Sequence, residues 1–277
     1  MNKEINIKFN NNRKLTINKY TFKSVDGLAI PAYFIYPKKN IKQKIPCVVT
    51  CSAGIHGSFY FKESKNFDDF HLNWCWHLIK NNIAVLYIDK RGSYGYGTKF
   101  QNYNEVAGKE VDDIAYGVRI LNDFNFIDKT RIYGLGISRT CNSFVLAELK
   151  YNLFNALFLI SGFYNIKEQF KTTKQKHLKE LLGKYNTNNF PYNKRSSILF
   201  VNKLKSDFPI LLLHGKNDQT VFFNQSLDFY TKLIKSSHNH VKFIKYNNLP
   251  HTREASSTAS SSGRRILKIL LSFIKSH

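Results

Sequence analysis

Short apolar runs of strand length alternate along the chain with amphipathic stretches of helical length. Short, nearly continuous apolar runs after residue 45 are typical of strands buried on both faces of a parallel sheet. Two earlier runs flank the turn signal SVDG and predict an antiparallel hairpin. Eight strands are predicted in all, over residues 20–24, 29–36, 46–51, 83–89, 131–135, 156–161, 209–215 and 241–246.

Amphipathic stretches of helical length separate these runs. They predict helices over residues 69–81, 109–124, 138–150, 167–182, 224–236 and 263–275. This alternation predicts an α/β fold in which a mainly parallel eight-stranded sheet carries helices on both faces. We expect one domain over residues 1–277, whose first 45 residues form the antiparallel strands. The Ser-rich stretch 254–263 is expected to open the last helix.

The net positive charge is the unusual feature of the composition. Lys and Arg total 42 against 19 Asp and Glu, which gives a formal charge of +23. Such a surface attracts nucleic acid, anionic membranes or acidic substrates. The basic residues are dispersed, however, and no zinc-finger, RNP or helix-turn-helix signature accompanies them. Compositional bias is the favoured interpretation, and we expect no specific nucleic-acid partner.

The spacing of the cysteines indicates whether the chain binds a metal, and the length of its apolar runs indicates whether it enters a membrane. Cys47, Cys51, Cys75 and Cys141 lack the paired spacing of zinc ligands, and reduced thiols fit best. The N-terminus has no apolar core of a secretory signal, and no run approaches the ~18 apolar residues that span a bilayer. We expect a cytoplasmic protein with no membrane association, no metal and no cofactor.

Three polar residues follow predicted strands at their carboxyl ends, where ligands bind in doubly wound sheets. They are Ser138, Asp218 and His251, and Ser-Asp-His is the chain order of α/β-hydrolases. A serine hydroxyl is a poor nucleophile until an imidazole accepts its proton, and a carboxylate fixes the tautomer of that imidazole. The order and placement therefore predict a catalytic triad.

Taken singly, each residue has a structural interpretation. Ser138 stands where a helix N-cap is common, Asp218 stands in the turn-like KND, and His251 could be a surface loop residue. The conjunction of the three favours the triad. We interpret His214, at the end of a predicted strand, as structural.

Four motifs resemble the catalytic domain of the prolyl oligopeptidase family of serine peptidases. Ser138 corresponds to the nucleophile of the family through the motif RIYGLGIS. Asp218 corresponds to the acid through PILLLHGKNDQTV, and His251 corresponds to the base through PHTREASSTAS. DKRGSYGYGTKF resembles the glycine-rich block of the family and is the most specific of the four. The resemblance covers nearly the whole chain and implies an α/β-hydrolase fold.

The oxyanion hole is also implied by this resemblance. VVTCSAGIHGSF matches a block that supplies one contact in relatives, which points to the backbone of Ala53 and Gly54. The second donor at a nucleophile elbow is the backbone N–H of the following residue, here Arg139.

Four departures from the family pattern stand out. Thr140 and Cys141 replace the usual Gly-Gly. Because a side chain crowds the close contact between strand and helix, a widened or strained elbow is one alternative. Arg139 stands where relatives often carry an aromatic residue, and Ser52-Ala53 replaces His-Gly. No β-propeller precedes the domain in the sequence, which predicts an open site unless the chain is a fragment of a longer protein.

The residues next to the reacting bond are predicted from the same resemblance for Arg139 and from their place in loops after strands for four apolar residues. Arg139, if it points into the pocket, would favour an acidic group. The alternative is that it reaches solvent or pairs with an acid such as Glu148. Phe163, Tyr164, Val221 and Phe222 lie in loops after strands and are either pocket walls or core residues.

The prediction is a serine hydrolase that cleaves amide bonds of short peptides through an acyl-enzyme. Two alternatives stay open: an esterase or small acyl hydrolase with the same triad, and a catalytically weakened relative that acts by binding. The natural substrate and a homo-oligomeric state are not fixed by the sequence.

Overall fold

A computed structural model describes residues 3–9, 13–38, 41–54, 56–61, 66–67, 69–103, 105–183, 192–251 and 260–277 of the chain. Within these ranges, nine strands form one sheet in the order β1-β2-β3-β7-β4-β8-β9-β10-β11. The strands are β1 Lys3–Phe9, β2 Arg13–Lys23, β3 Ala29–Ile35, β4 Ile45–Cys51, β7 Ala84–Ile88, β8 Ile127–Ile137, β9 Ala156–Ile160, β10 Ile210–Gly215 and β11 Val241–Tyr246. Two short strands, β5 Tyr60–Phe61 and β6 Asn66–Phe67, pair separately.

Helices connect the strands as the alternating pattern predicts. They are α1 Asp69–Lys80, α2 Thr98–Gln101, α3 Glu110–Val118, α4 Thr140–Tyr151, α5 Ile166–Thr172, α6 Lys176–Gly183, α7 Tyr192–Arg195, α8 Asn224–Lys235 and α9 Ser261–Ser276, with 3₁₀ turns at Arg119–Asp123 and Ser197–Lys203. No helix in the described ranges is both long and apolar enough to cross a membrane.

The sheet combines an antiparallel edge with a parallel block, which confirms the predicted α/β-hydrolase class. β1, β2 and β3 pair antiparallel, and β3 meets β7 antiparallel. From β7 onward, through β4, β8, β9, β10 and β11, every pairing is parallel. The carboxyl ends of β8, β10 and β11 therefore reach the same edge of the sheet.

The predicted strand number of eight is wrong, since β1 adds a ninth. Its Ile5 and Ile7 are half-buried and Phe9 is buried, whereas Lys3, Glu4, Asn6 and Lys8 face solvent. Such lysines and polar residues are common on edge strands but weaken the strand signal.

The single helix predicted over residues 167–182 is also wrong, because it is two helices. α5 ends before Thr173, whose backbone is extended at φ −63° and ψ 132°. The Thr173 hydroxyl then accepts a hydrogen bond from the Gln175 backbone N–H at 3.2 Å, a local bond that competes with helix continuation.

Two apolar cores cover the two faces of the sheet. One lies under α3, α4 and α8 and includes Phe34 of β3 and Phe144 of α4. The other lies under α1 and α9 and includes Tyr87 of β7 and Leu270 of α9. The sheet is thus held rigidly from both sides, and loops at its carboxyl edge can be positioned precisely.

The last helix begins one residue after a serine cap. The Ser260 hydroxyl accepts a hydrogen bond from Gly263 N at 2.9 Å and so satisfies one of the free donors of the first turn of α9. Of the Ser-rich stretch 254–263, residues 254–259 lie outside the described ranges.

Candidate active site

Ser138, His251 and Asp218 form one chain of hydrogen bonds at the carboxyl edge of the sheet. His251 Nε2 lies 3.0 Å from Ser138 Oγ, and His251 Nδ1 lies 2.7 Å from Asp218 Oδ2. An ionised carboxylate only accepts, so the Nδ1–H of His251 donates to Asp218. The Nε2 atom is then left to accept the proton of the Ser138 hydroxyl. This is the geometry of a nucleophile, a general base and the group that orients the base.

The backbone at Ser138 has the strained conformation of a nucleophile elbow. Its φ is +56°, a left-handed value that is uncommon for a residue other than glycine. The Ser138 N–H donates to Ile160 O of β9 at 2.9 Å, which ties the elbow to the sheet. The hydroxyl points to His251 while α4 begins at Thr140 without a side-chain cap. The helix-cap interpretation of Ser138 is therefore not supported.

Gly136 permits the close contact between β8 and α4 that the elbow needs. A Cβ at this position would lie 2.7 Å from Cys141 Cα and 3.0 Å from Cys141 N, both backbone atoms. The first glycine of the G-x-S motif is thus required by space, because neither backbone atom can move without shifting the helix.

Thr140 stabilises the turn through its hydroxyl. The Oγ1 atom donates to Ile137 O at 2.8 Å and accepts from Ile137 N at 2.9 Å, and the side chain is fully buried. The threonine in place of the second motif glycine therefore joins the end of β8 to the start of α4. The Thr140 hydroxyl thus clamps the elbow at the position where the G-x-S-x-G motif has glycine.

We expect Thr140→Val, which keeps the shape and removes the hydroxyl, to lower the free energy of unfolding by about 1–3 kcal/mol, because two polar backbone atoms of Ile137 lose a buried partner. Thr140→Ser, which keeps the hydroxyl, should lose less. Urea unfolding of the three proteins measures this. A valine variant as stable as the wild type would contradict the clamp.

Asp218 is held by four hydrogen bonds and is 1% exposed. Its Oδ1 accepts from Thr220 N and Val221 N, each at 2.9 Å, and its Oδ2 accepts from His251 and from His214. Burial raises the pKa of this carboxyl, but the bonds from the two histidines and from the Val221 N–H outweigh burial and lower its pKa to about 2. The carboxylate is therefore ionised at any pH above that value.

His214 is a member of the site that the sequence did not reveal. Its Nε2 lies 3.1 Å from Asp218 Oδ2 and 2.9 Å from Val221 O, and its ring is fully buried at the end of β10. The sequence signal for this contact was the H-x-x-x-D spacing. A residue four positions after the end of a strand can fold back through a turn and contact the last residues of that strand.

Arg139 is paired with a buried glutamate. Its Nη2 donates to Glu110 Oε2 and, at 3.0 Å, to Glu105 O, and the side chain is 2% exposed. The expected solvent position or pairing with Glu148 is wrong, because Glu148 Oε2 instead accepts from the N–H groups of Leu153 and Phe154. The charge compensation by Glu110 also removes the basis for an acid-selective Arg139.

Glu110 is the centre of a buried ionic cluster beneath the elbow, formed by Glu110, Arg139 and Lys90. Lys90 Nζ lies 3.5 Å from Glu110 Oε2, and the Ser143 hydroxyl donates to Glu110 Oε1 at 2.6 Å. Burial raises the pKa of Glu110, but the charges of Arg139 and Lys90 outweigh it and lower the pKa to about 2. The glutamate is thus an ionised anchor for the residue that follows Ser138.

The loop with the predicted oxyanion donors is tied to the glycine-rich block. Asp89 accepts from the Ser58 hydroxyl at 2.9 Å, from Phe59 N at 2.7 Å and from the Tyr96 hydroxyl at 2.5 Å. The Ser52 hydroxyl is engaged with Tyr87 at 2.6 Å. These bonds fix both ends of the segment that contains Ala53 and Gly54. Their backbone, like that of Arg139, remains a predicted oxyanion contact.

Glycines of the block itself adopt backbone conformations that other residues avoid. Gly92, Gly95 and Gly97 have φ of +84°, +90° and +88°. The chain therefore turns sharply here, which explains why this stretch is glycine-rich. The turn contacts the loop that follows Gly54, since Tyr94 N donates to His56 O at 3.0 Å and His56 Nδ1 lies 2.8 Å from Gly92 O.

Three of the four predicted pocket residues pack in the core. Phe163 is 1% exposed, Tyr164 and Val221 are fully buried, and Tyr164 stacks on Phe229 with ring centroids 3.9 Å apart. The core interpretation replaces the pocket-wall interpretation for these three. Phe222 is partly exposed and stays a predicted substrate contact.

A family model and solved structures match this chain. Residues 70–277 match the model of the prolyl oligopeptidase family. The chain belongs to the prolyl oligopeptidase family. This is the family that the four sequence motifs resemble.

Solved structures of several peptidases share the fold. An acylaminoacyl peptidase in complex with Z-Gly-Gly-Phe-chloromethyl ketone is 24% identical with a TM-score of 0.79, over 94% of this chain and 41% of that chain. The acylaminoacyl peptidase of Pyrococcus horikoshii is 22% identical with a TM-score of 0.79, over 94% of this chain and 41% of that chain. A puromycin-hydrolyzing peptidase of Mycobacterium tuberculosis is 20% identical with a TM-score of 0.77, over 93% of this chain and 38% of that chain. This chain thus spans about two fifths of the length of the peptidase chains it matches.

Proposed function

We propose that this prolyl oligopeptidase family member cleaves amide bonds of short peptides through Ser138, His251 and Asp218. The observation that carries the proposal is the continuous hydrogen-bond chain from Ser138 Oγ through His251 to Asp218 Oδ2, with 3.0 and 2.7 Å between the atoms. Membership of a peptidase family and structural likeness to peptidases support the amide as substrate.

The proposed reaction has two halves. Ser138 Oγ attacks the amide carbonyl carbon while its proton passes to His251 Nε2, and the carbonyl oxygen becomes an oxyanion that backbone N–H groups of Arg139, Ala53 or Gly54 would bind. His251 then gives the proton to the leaving nitrogen, the C–N bond breaks, and an acyl-Ser138 ester remains. Water, deprotonated by His251, hydrolyses that ester and restores the hydroxyl.

Asp218 serves both halves by holding the Nδ1–H tautomer of His251. The bond is charge-assisted once His251 becomes an imidazolium, and such bonds are stronger than neutral ones. Since Asp218 is ionised above about pH 2, it accepts the His251 hydrogen bond as a carboxylate in both halves of the reaction.

Turnover of paired substrates tests the amide proposal. The full chain is assayed on short peptide p-nitroanilides and on p-nitrophenyl esters of short acids, with kcat/KM measured for both. We expect anilide turnover that follows saturation kinetics and a preference for peptides over single acyl groups. Ester turnover without any anilide turnover would support the esterase alternative, which the same triad permits.

A binding function without catalysis is less well supported. Such a relative has no need to retain a nucleophile, base and acid within hydrogen-bond distance of one another, and all three are in contact here. A folded wild type that turns over neither substrate class would favour the binding alternative.

A further inference from the structure

His214 and His251 meet at a single carboxylate oxygen. His251 Nδ1 lies 2.7 Å from Asp218 Oδ2, and His214 Nε2 lies 3.1 Å from the same atom. His214 approaches from within β10, four residues before Asp218, whereas His251 approaches from the loop after β11. The other oxygen, Oδ1, is occupied by two backbone N–H groups.

The contacts of His214 determine which of its nitrogens carries a proton. Nε2 faces Val221 O at 2.9 Å and the carboxylate of Asp218, and both only accept. Nε2 must therefore be protonated and its hydrogen shared between them. Nδ1 lies 2.7 Å from the Ser226 hydroxyl of α8, which donates to it when the ring is neutral.

We propose that His214 is a positioning residue of the triad, whose Nε2–H holds and partly neutralises the Asp218 oxygen that orients His251. The relay then runs from Ser226 through His214, Asp218 and His251 to Ser138. The fully buried ring has no route to substrate, so it acts only through Asp218. The inference rests on the proposed function, because it concerns how the base is tuned.

The physical consequence is a division of the carboxylate charge between two donors. Without the His214 donor, Oδ2 would place more negative charge on the bond to His251 and favour the imidazolium form. His251 would then hold its proton to higher pH. The acid limb of the kcat/KM profile should consequently move upward, and kcat should fall because Asp218 is less well fixed.

Other titratable or charged groups around this relay are few in the described ranges. Lys245 is paired with His214 in the β10–β11 register, with its ammonium 5.4 Å from the ring centroid of Phe243. The phenol of Tyr164 interacts with Ser226 and Cys141, and burial raises the pKa of both Tyr164 and Cys141. Neither of these two groups carries charge near neutral pH, and the Lys245 side chain is exposed, so Asp218 is the charged group in direct contact with His214.

His214→Phe, His214→Gln and His214→Asn test the proposal in the full chain. Phenylalanine keeps the ring shape without a donor, glutamine places an amide N–H near the Nε2 position, and asparagine is too short to do so. We expect the Phe and Asn variants to move the acid limb up by about half a pH unit to one unit and to lower kcat about tenfold. The Gln variant should restore both.

His238→Phe is the matched control, since His238 is another buried histidine, with Nε2 2.7 Å from Phe208 O and no contact with the triad in the part of the chain described. It should leave the acid limb in place. An active wild type whose His214 variants lose activity with an unmoved acid limb would overturn the proposal, as would glutamine behaving like phenylalanine. A wild type without activity would instead refute the proposed function.

Discussion

Replacing Ser138 with alanine is expected to lower kcat by roughly 10⁶-fold while the protein still folds. Alanine removes the nucleophile that His251 activates but keeps the small side chain that the φ of +56° must accommodate. The residual rate would come from binding and from the oxyanion donors. The loss should fall on kcat, with KM little changed, because the hydroxyl acts in the bond-making step.

Ser272→Ala is the matched control for this variant. Ser272 is exposed on α9, so its loss should change neither kcat nor the unfolding midpoint. Circular dichroism of both variants shows whether the fold is kept. A folded Ser138→Ala protein with more than about a hundredth of the wild-type kcat would mean that the triad is not the catalyst.

Replacing Glu110 with glutamine is expected to lower the free energy of unfolding by about 3–5 kcal/mol. Arg139 and Lys90, which are 2% and 0% exposed, would then lose the charge of the carboxylate that lies against both of them. Arg139→Met should cost less, because Lys90 remains as a partner for the ionised Glu110. The double variant should lose less than the sum of the two single losses.

Urea unfolding of the three variants beside Glu168→Gln measures this cluster. Glu168 is exposed at the start of α5, and its substitution reports the effect of a lost carboxylate without burial. Equal stability of Glu110→Gln and Glu168→Gln would show that the buried cluster does not stabilise the fold. The cluster also anchors the residue after the nucleophile, so kcat should fall in Glu110→Gln as well.

The inner strands of the parallel part of the sheet could be predicted because they are buried on both faces. β4, β9 and β10 are near-continuous apolar or β-branched runs, and their observed bounds differ from the predicted ones by at most one residue. β1 and the first half of β2 were missed because an edge strand with one solvated face alternates apolar and charged residues, which resembles loop composition.

The positions of Ser138, Asp218 and His251 could be predicted because each follows a recognisable strand. Their partners could not. Glu110 lies 29 residues before Arg139 and meets it only because α3 and α4 pack together, which no local pattern records. The role of the Thr140 hydroxyl was equally hidden, since a motif that expects glycine gives no reason to look for a hydrogen bond there.

Labelling with a fluorophosphonate probe tests the central claim most directly, because the probe bonds only to an activated nucleophile. The full chain and its Ser138→Ala variant are treated in parallel, digested with trypsin and mapped by mass spectrometry. We predict one adduct in the wild type, on the peptide of residues 132–139 at Ser138, and none in the variant. A folded wild type that stays unlabelled, or that carries its adduct on another residue, would contradict the account.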